Sequence, residues 1–354
     1  MKAVTVVPLV KDSLVLRDMP KPSPKRGQVL LSPIEVGVCG TDKDIIEGKY
    51  GAPPPGEEYL ILGHEAVAEV VELGDGVDNV GVGDIVVPTV RRPTTCTLPV
   101  TELDYCPRGG TYAEHGIWYL HGFAAEFAVT DSQYLVRVPK EAIDVAVLTE
   151  PLSIVEKGID LAIRLGKARF ESWSPRRVLI MGAGGPIGML ALMVMRLRGF
   201  TDVTVTATRP YDSLKAKLVK EIGATYVNTN VDQISGEFDI VIEATGSTNA
   251  AYEALRHLGA DGVAVLLGIY LDSKNVNIGP LLDDWRRNKL IIGATNASIR
   301  AFEMGVSDLV KAKFEFGGWV RKLITKEVTL DEYEYAYNWG GHEDIKSVIQ
   351  IRSL

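Results

Sequence analysis

A glycine-rich turn between a continuous apolar strand and an apolar helical segment constrains the fold of this chain more than any other feature. The run 178–181 precedes the turn, and the run 189–197 follows it. The turn reads G-x-x-G-x-x-G through Gly182, Gly185 and Gly188. A continuous apolar strand is typical of a parallel sheet covered on both faces, and a glycine turn leading into a helix can bind a pyrophosphate at the helix N-terminus. The pattern predicts a doubly wound, nucleotide-binding domain; a tight turn without a ligand is the plainer alternative.

The end of the next predicted strand, 203–206, indicates which nicotinamide cofactor is used. An acidic residue there binds the ribose 2′-hydroxyl of NAD, whereas an arginine accommodates the 2′-phosphate of NADP. This chain has Thr208 and Arg209 at that point and no acid before Asp212. The sequence therefore predicts NADP, with NAD as a second cofactor. An ordinary surface role for Arg209 stays open.

Further buried strands are predicted over 238–244, 263–267 and 290–293. Ligands of a doubly wound sheet lie at the carboxyl ends of its strands. The residues predicted to line the cofactor are Gly182, Gly185, Pro186, Ile187, Gly188, Thr208, Arg209, Thr245, Gly246, Leu267, Gly268 and Asn296.

The first 90 residues have a different character. Short strand-like runs at 4–7, 13–16, 28–31, 35–38, 65–71 and 85–87 alternate with Gly and Pro turns, which predicts an all-β first domain. Strand character resumes over 123–129 and 134–138, and a helical pattern begins at Ala142.

Potential metal ligands lie within this β-rich region. Cys39 and His64, each beside glycine, offer a thiolate and an imidazole, and Glu65 adds a carboxylate. A catalytic zinc takes three such protein ligands and leaves one position open. Glu150, directly before Pro151, is the candidate for the third ligand and is expected to be extended at a helix start. The plainer alternatives are a buried free cysteine and a solvated carboxylate.

Composition narrows the class of protein. The chain has 354 residues, 46% of them hydrophobic, and a net charge of −8. The negative charge disfavours nucleic acid or an anionic membrane as the main partner. No apolar run has the length of a membrane span, and the N-terminus lacks the features of a signal peptide. Three cysteines imply no disulfide framework, so a cytoplasmic location is expected.

The irregular segment 91–122, here called the lobe, contains the other two cysteines, Cys96 and Cys106. Two cysteines cannot form a four-cysteine zinc site. A mixed site that includes Asp104 or His115 is conceivable, and ordinary loop residues are the plainer interpretation.

Together these motifs resemble those of the zinc-dependent medium-chain dehydrogenases over nearly the whole chain. The resemblance is closer still to the archaeal-type glucose (aldose) 1-dehydrogenases. It rests on G-V-C-G-T-D at 37–42, G-H-E at 63–65, Arg91-Arg92, Glu114, His121-Gly122-Phe123, Glu150-Pro151-Leu152, Glu156-Lys157 and Ile345-Lys346. It implies an α/β protein with a GroES-like β-rich catalytic domain at 1–152, completed by 297–354. A Rossmann NADP-binding domain would occupy 153–296.

The resemblance also implies roles for individual residues. Cys39, His64 and Glu150 would hold the catalytic zinc, and Glu65 would be a transient ligand or a group that orients the ligands. Thr41 would place a hydroxyl beside substrate and nicotinamide. Sugar-contacting positions fall on Glu114 and Asn296, and Glu150 would face the substrate as well. The implied assembly is a homodimer or homotetramer.

Some positions depart from the family pattern. Pro93 and Pro99 stand where two of the four cysteines of a structural zinc site are expected, so we predict that this second zinc is absent. Val90 and Ile154 are apolar where relatives have polar sugar contacts. The predicted reaction is oxidation of an aldose at C1 to the aldonolactone, with hydride transfer to NADP⁺. The alternatives are a zinc-dependent alcohol or polyol dehydrogenase and a non-catalytic nucleotide-binding protein.

Overall fold

The computed structural model describes residues 1–95, 97–105, 112–269, 275–338 and 341–353. The strands are β1 Lys2–Val6, β2 Val15–Asp18, β3 Gln28–Gly37, β4 Leu60–Ile61, β5 Glu65–Leu73, β6 Ile85–Pro88, β7 Arg91–Pro93, β8 Tyr112–His115, β9 Tyr119–Leu120, β10 Ala128–Asp131, β11 Leu135–Arg137, β12 Arg177–Met181, β13 Asp202–Ala207, β14 Thr225–Asn228, β15 Phe238–Glu243, β16 Leu258–Leu266, β17 Leu290–Gly293, β18 Ile324–Thr329 and β19 Lys346–Gln350.

The α-helices are α1 Gly40–Ile46, α2 Thr149–Arg169, α3 Pro186–Leu197, α4 Leu214–Glu221, α5 Thr248–Arg256, α6 Gly279–Asp284, α7 Ile299–Phe316 and α8 Tyr333–Tyr337. Short 3₁₀ helices span Val100–Tyr105, Ser132–Tyr134, Lys140–Leu148, Trp285–Arg287, Gly317–Leu323 and Leu330–Glu332. No helix in the described ranges is long and apolar enough to cross a bilayer.

The N-terminal part is built mainly on a seven-stranded sheet. Its strands follow the order β11-β6-β5-β3-β19-β18, and β10 also pairs with β3. Strand β19 lies antiparallel to β3 and parallel to β18. The C-terminal strand thus completes the N-terminal sheet and brings residues from opposite ends of the chain side by side.

The second part is a six-stranded, fully parallel sheet in the order β14-β13-β12-β15-β16-β17. Its central strands are buried, as the apolar run 178–181 predicts. Helix α3 is also buried over most of its length, which explains why it lacks a polar face. The predicted boundary between 152 and 153 falls inside α2, so this single helix joins the two parts.

Several strand predictions need correction. The two strands predicted at 28–31 and 35–38 form one strand, β3, because shifts of register around Pro33 accommodate the missing proline N–H. The strand predicted over 123–129 begins only at Ala128, and β14 was not predicted from the sequence.

The local prediction for Glu150 is wrong. The residue is not extended; it is the second residue of α2, which follows directly on the 3₁₀ helix Lys140–Leu148. Pro151 fits in the first turn because the N–H that it lacks has no partner within the helix. The preference of a residue before proline for extended backbone is therefore overridden by the helix start.

Candidate active site

The structure brings Cys39, His64 and Glu65 together. Their ligand atoms all lie within 4.8 Å of one another. Cys39 precedes α1 and is half-buried, whereas His64 and Glu65 are almost completely buried where β5 begins. The antiparallel pairing of Gly37 with Glu65 places the ends of β3 and β5 side by side, which explains the convergence.

Asp42 orients this group from α1. Its Oδ2 accepts a hydrogen bond of 2.8 Å from the Cys39 backbone N–H, and its Oδ1 lies 3.5 Å from the His64 Nδ1. Burial lowers the pKa of His64, but Asp42 and Cys39 together raise it by more, so the pKa lies well above its usual value. A carboxylate on Nδ1 leaves Nε2 as the nitrogen that can bind a metal.

Lys346 is the cation of the cluster. It is almost completely buried on β19, forms an ion pair with Glu65, and donates a hydrogen bond of 2.9 Å to the Val38 carbonyl. Burial lowers the pKa of Lys346, but Glu65, Cys39 and Glu150 together raise it by more, so the ammonium stays charged. Gly37 lies so close to this pair that a Cβ at that position would clash with the Glu65 carboxylate.

Glu150 lies in the electrostatic field of the cluster but outside the group of three. Burial raises the pKa of Glu150, the charge of His64 opposes that effect, and Glu65 adds to it. Its assignment as the third zinc ligand stays a prediction. The hydroxyl of Thr41 lies 3.9 Å from the Cys39 Sγ, so this predicted catalytic residue also borders the cluster.

The donor set fits a zinc ion. A thiol, an imidazole and a carboxylate are the ligand types that zinc accepts, and their mutual distances suit one central ion. Each buried carboxylate of the cluster has a basic neighbour, since Asp42 lies 3.5 Å from His64 and Glu65 forms an ion pair with Lys346.

The predicted sugar-contacting residues also meet. Asn296 Nδ2 donates a hydrogen bond of 2.5 Å to Glu114 Oε1. The same oxygen accepts hydrogen bonds from Arg91 Nε at 3.1 Å and Nη2 at 2.9 Å. Glu114 is buried, and Asn296 is half-buried. Backbone and side chains of the lobe therefore reach the end of β17.

The lobe residues considered as metal ligands are engaged elsewhere. His115 Nδ1 lies 2.6 Å from the His121 carbonyl, and its Nε2 lies 3.2 Å from Thr130 Oγ1. Asp104 Oδ2 forms an ion pair of 2.7 Å with Lys157. Cys96 and Cys106 lie outside the described residues. The predicted absence of a second zinc stays a prediction.

The glycine turn has the geometry of a cradle for a pyrophosphate. Gly182 has a φ of +110°, and a Cβ on Gly188 would lie 2.5 Å from the Gly182 carbonyl oxygen, so both are required for the fold of the turn. In contrast, a Cβ on Gly184 or Gly185 would meet nothing within 4 Å. Gly185 caps α3 with Pro186 in the first turn, and Ile187 follows half-buried. The open side of the turn is where a phosphate can approach the backbone N–H groups.

The ends of strands β15 and β16 lie at the same carboxyl edge of the parallel sheet as the glycine turn after β12. Glu243, fully buried at the end of β15, accepts a hydrogen bond of 2.6 Å from the Thr245 N–H. A Cβ on Gly268 would lie 2.6 Å from the Gly246 N, so the turns after β15 and β16 are in close contact. Leu267, directly before Gly268, is buried. These residues lie together, as the strand order requires, and their contact with a cofactor stays a prediction.

Arg209 lies two residues after β13, and His342 and Lys215 are near it. Its Nη1 is 2.9 Å from His342 Nδ1. Lys215, almost fully buried, donates a hydrogen bond of 2.7 Å to the Gly184 carbonyl. Burial lowers the pKa of Lys215, and the charge of Arg209 lowers it further, which indicates that the two cations are close. Thr208 is exposed beside them.

Comparison with known proteins supplies the family. Residues 143–351 match the family "Glucose dehydrogenase C-terminus", and residues 25–140 match the "Alcohol dehydrogenase GroES-like domain". The chain is 92% identical over 354 residues to glucose 1-dehydrogenase 1 of Vulcanisaeta moutnovskia, with full coverage of both chains. The chain belongs to the glucose dehydrogenase family.

Two more distant comparisons agree. A glucose 1-dehydrogenase of Thermoproteus tenax is 54% identical over 355 residues, again with full coverage of both chains. The solved structure of Haloferax mediterranei glucose dehydrogenase in complex with NADP, Zn and gluconolactone is 32% identical, covers both chains completely and superposes with a TM-score of 0.90. The predicted fold class, a GroES-like domain with a Rossmann domain, is confirmed.

Sequence reasoning missed the residues that hold the site residues in place. The motif around Cys39 predicts no role for Asp42, although its position three residues after Cys39 is typical of a helix-capping pair. Lys346, Arg91 and His342 contact their partners across large sequence separations, so no local pattern identifies those contacts.

Proposed function

We propose that this protein is a zinc-dependent, NADP-preferring glucose 1-dehydrogenase that oxidises the C1 carbon of the sugar to gluconolactone. The observation that carries the proposal is the buried group of Cys39, His64 and Glu65 in a chain that is 92% identical, over its full length, to a glucose 1-dehydrogenase. Haloferax glucose dehydrogenase binds NADP, Zn and gluconolactone, which supports the same cofactors and product here.

Cys39 and His64 would hold the metal, with Glu150 as the third ligand and Glu65 near it. When bound, a zinc ion supplies Lewis-acid chemistry, which polarises the C1 hydroxyl and lowers its pKa. Asp42 would fix the ring of His64 by binding its Nδ1. Lys346 would keep Glu65 turned toward the β3–β5 junction through their ion pair.

The sugar would be oriented by Glu114 and Asn296. The free lone pairs of the Glu114 carboxylate accept hydrogen bonds from sugar hydroxyls, while Arg91 keeps the carboxylate in position. Such orientation converts a bimolecular encounter into a near-attack geometry. Val90 and Ile154 would leave other sugar hydroxyls without a polar partner, which shapes the choice among aldoses.

The glycine turn 182–188 would bind the pyrophosphate of NADP⁺ through backbone N–H groups. Arg209, with His342 and Lys215 near it, supplies positive charge for the 2′-phosphate. In the reaction, C1 loses a hydride to the nicotinamide and its hydroxyl loses a proton. Thr41, Glu65 and Glu150 border the cluster and are the candidate proton carriers.

We also infer a cytoplasmic location and a homodimer or homotetramer. The first inference rests on the sparse cysteines. The second rests on the family resemblance. Strand β17 lies at an edge of the six-stranded sheet, and such an edge can pair with a second copy. Ile278 and Leu282, which precede β17 in the chain, are exposed.

The test is a set of initial rates of NADP⁺ reduction with glucose, galactose, xylose and a simple alcohol, together with a measurement of zinc per chain. We expect reduction that depends on sugar and about one zinc per chain. Activity with the alcohol alone would instead assign an alcohol dehydrogenase, for which Val90 and Ile154 would be the reason. A zinc-free protein that gains no activity with zinc would be a non-catalytic nucleotide-binding protein.

A further inference from the structure

A closed ring of contacts joins the lobe, helix α2 and the end of β17. We name it the interdomain ring, and it consists of Asp104, Lys157, Asn296, Glu114 and Arg91. Lys157 Nζ pairs with Asp104 Oδ2 at 2.7 Å and donates to the Asn296 carbonyl at 3.3 Å. The Asn296 amide donates to Glu114, Glu114 accepts from Arg91, and Arg91 Nη1 donates to the Asp104 carbonyl at 3.3 Å.

Lys157 is the member of the ring that belongs to α2. Its side chain is only 9% exposed, and that of Asp104 only 3%. Lys157 Nζ also donates to the Thr295 carbonyl at 3.3 Å, so the ammonium contacts two successive carbonyls beyond β17. Gly158 beside it permits close packing, because a Cβ there would lie 2.9 Å from Leu267 and Val265. The Lys157 ammonium is therefore held by the Asp104 carboxylate and by the Thr295 and Asn296 carbonyls.

Asn296 is held in an unusual backbone conformation. Its φ is +60°, in the left-handed region that non-glycine residues enter rarely and at a cost in energy. Its side-chain Oδ1 accepts a hydrogen bond of 2.8 Å from the Ala297 N–H, which leaves Nδ2 directed to Glu114. The carbonyl that Lys157 binds belongs to this same residue. The lysine thus holds the peptide whose conformation aims the Asn296 amide.

We propose that Lys157 is a positioning residue for sugar recognition. It acts through Asn296 and Glu114 rather than by touching the sugar, and it couples the lobe to the nucleotide-binding sheet through Asp104. The inference rests on the proposed function, because Asn296 and Glu114 are its sugar contacts. Without the ammonium, the Asn296 peptide would relax, and the amide and carboxylate would no longer present one fixed pair of groups to the substrate. A displacement of about 1 Å in a site of this kind costs up to about a hundredfold in rate.

The test compares K157M with K167M, the same change at an exposed position of the same helix. We expect K157M to raise the KM for glucose by about tenfold or more, while the Kd for NADPH stays within about twofold of the wild-type value. K167M should match the wild-type protein in both constants. K157R, which keeps the charge and several donors, should recover most of the loss.

The double variant D104N/K157M separates an effect on stability from an effect on the KM for glucose. K157M alone leaves the buried Asp104 carboxylate without its cation, which lowers the thermal midpoint. The double variant removes both charges and should restore much of that midpoint, but the KM for glucose should stay high because the contacts to Thr295 and Asn296 are still missing. Recovery of the KM along with the midpoint would assign Lys157 a structural role and overturn the inference.

A second comparison uses N296A as the background. If Lys157 acts through Asn296, K157M should change the KM of the N296A protein by less than about twofold. Full, additive effects would contradict the inference, as would an unchanged glucose KM in K157M with an active wild-type enzyme. A wild-type protein that does not oxidise glucose would overturn the proposed function itself, and this inference with it.

Discussion

The group of Cys39, His64 and Glu65 and the glycine turn 182–188 form their candidate sites in opposite ways. In the first group, side chains form the site: Cys39, His64 and Glu65 converge, and the buried charges of Asp42 and Lys346 hold them in place. In the turn 182–188, a Cβ on Gly184 or Gly185 would meet no protein atom within 4 Å, so open space lies where the ligand is expected. One site is specified by the residues present, the other by the atoms left out.

The difference predicts how each region responds to substitution. A change within the cluster removes a chemical group and leaves a buried charge without its partner, so it should affect chemistry and metal binding. A change within the turn adds atoms, so its effect depends on whether these meet protein or ligand. Substitutions in the two regions test this difference.

The largest effect is expected from C39S. Replacement of the thiolate by a weak ligand should lower kcat/KM by about a thousandfold, equivalent to ~4 kcal/mol of transition-state stabilisation. NADPH titration should give a near-normal Kd, because the nucleotide site lies on the other sheet. Simultaneous loss of turnover and NADPH binding would show that the two regions are not separable.

The next effect is expected from D42N. This change keeps the hydrogen bond to the Cys39 N–H possible but removes the charge beside His64. Zinc affinity, measured by competition with a chelator, should fall by about 10-fold to about 100-fold. The matched control is D44N, because Asp44 lies on the same helix but pairs with Lys49. This variant should retain zinc. Equal zinc affinity in D42N and D44N would remove Asp42 from the metal site.

The pair G185A and G188A tests the turn. A methyl group on Gly185 meets no protein atom, so the thermal midpoint should be unchanged while the Kd for NADPH rises by about tenfold. A methyl group on Gly188 would lie 2.5 Å from a backbone oxygen, so that variant should lose stability by ~1–3 kcal/mol. Normal NADPH binding by a stable G185A protein would place the pyrophosphate elsewhere.

The smallest and most selective effect is expected from R209A. The KM for NADP⁺ should rise by about tenfold, through loss of a charge-assisted hydrogen bond to the 2′-phosphate, while the KM for NAD⁺ changes by less than about twofold. The measurement is the ratio of kcat/KM for the two cofactors with glucose. Equal changes with both cofactors would exclude Arg209 from the 2′-phosphate site.

The sequence predicts the two-part fold well because each part carries a local signal. The apolar run 178–181 and the glycines after it define the start of the parallel sheet without reference to distant residues. The donors Cys39, His64 and Glu65 are likewise recognisable, since they lie within two short motifs. Their function as ligands stays a prediction.

Contacts between distant segments could not be predicted in this way. Lys346 reaches the Val38 carbonyl across 308 positions, and Arg209 meets His342 across 133. Such pairs form only because β19 returns to the first sheet and the segment after α8 returns to α4. The local sequence around either residue of a pair does not indicate its partner. The helical state of Glu150 was missed for a related reason: the 3₁₀ helix before it continues into α2.

Helix α2 carries Glu150 in its first turn and Lys157 seven positions later. Seven residues of α-helix span ~10 Å and complete nearly two turns, so both side chains leave the same face. The helix therefore fixes the distance and the rotation angle between the predicted metal ligand Glu150 and the proposed positioning residue Lys157. One residue inserted between them would rotate Glu150 by about 100° relative to Lys157. Insertions or deletions between these two residues should thus be tolerated poorly, whereas loop lengths elsewhere can vary.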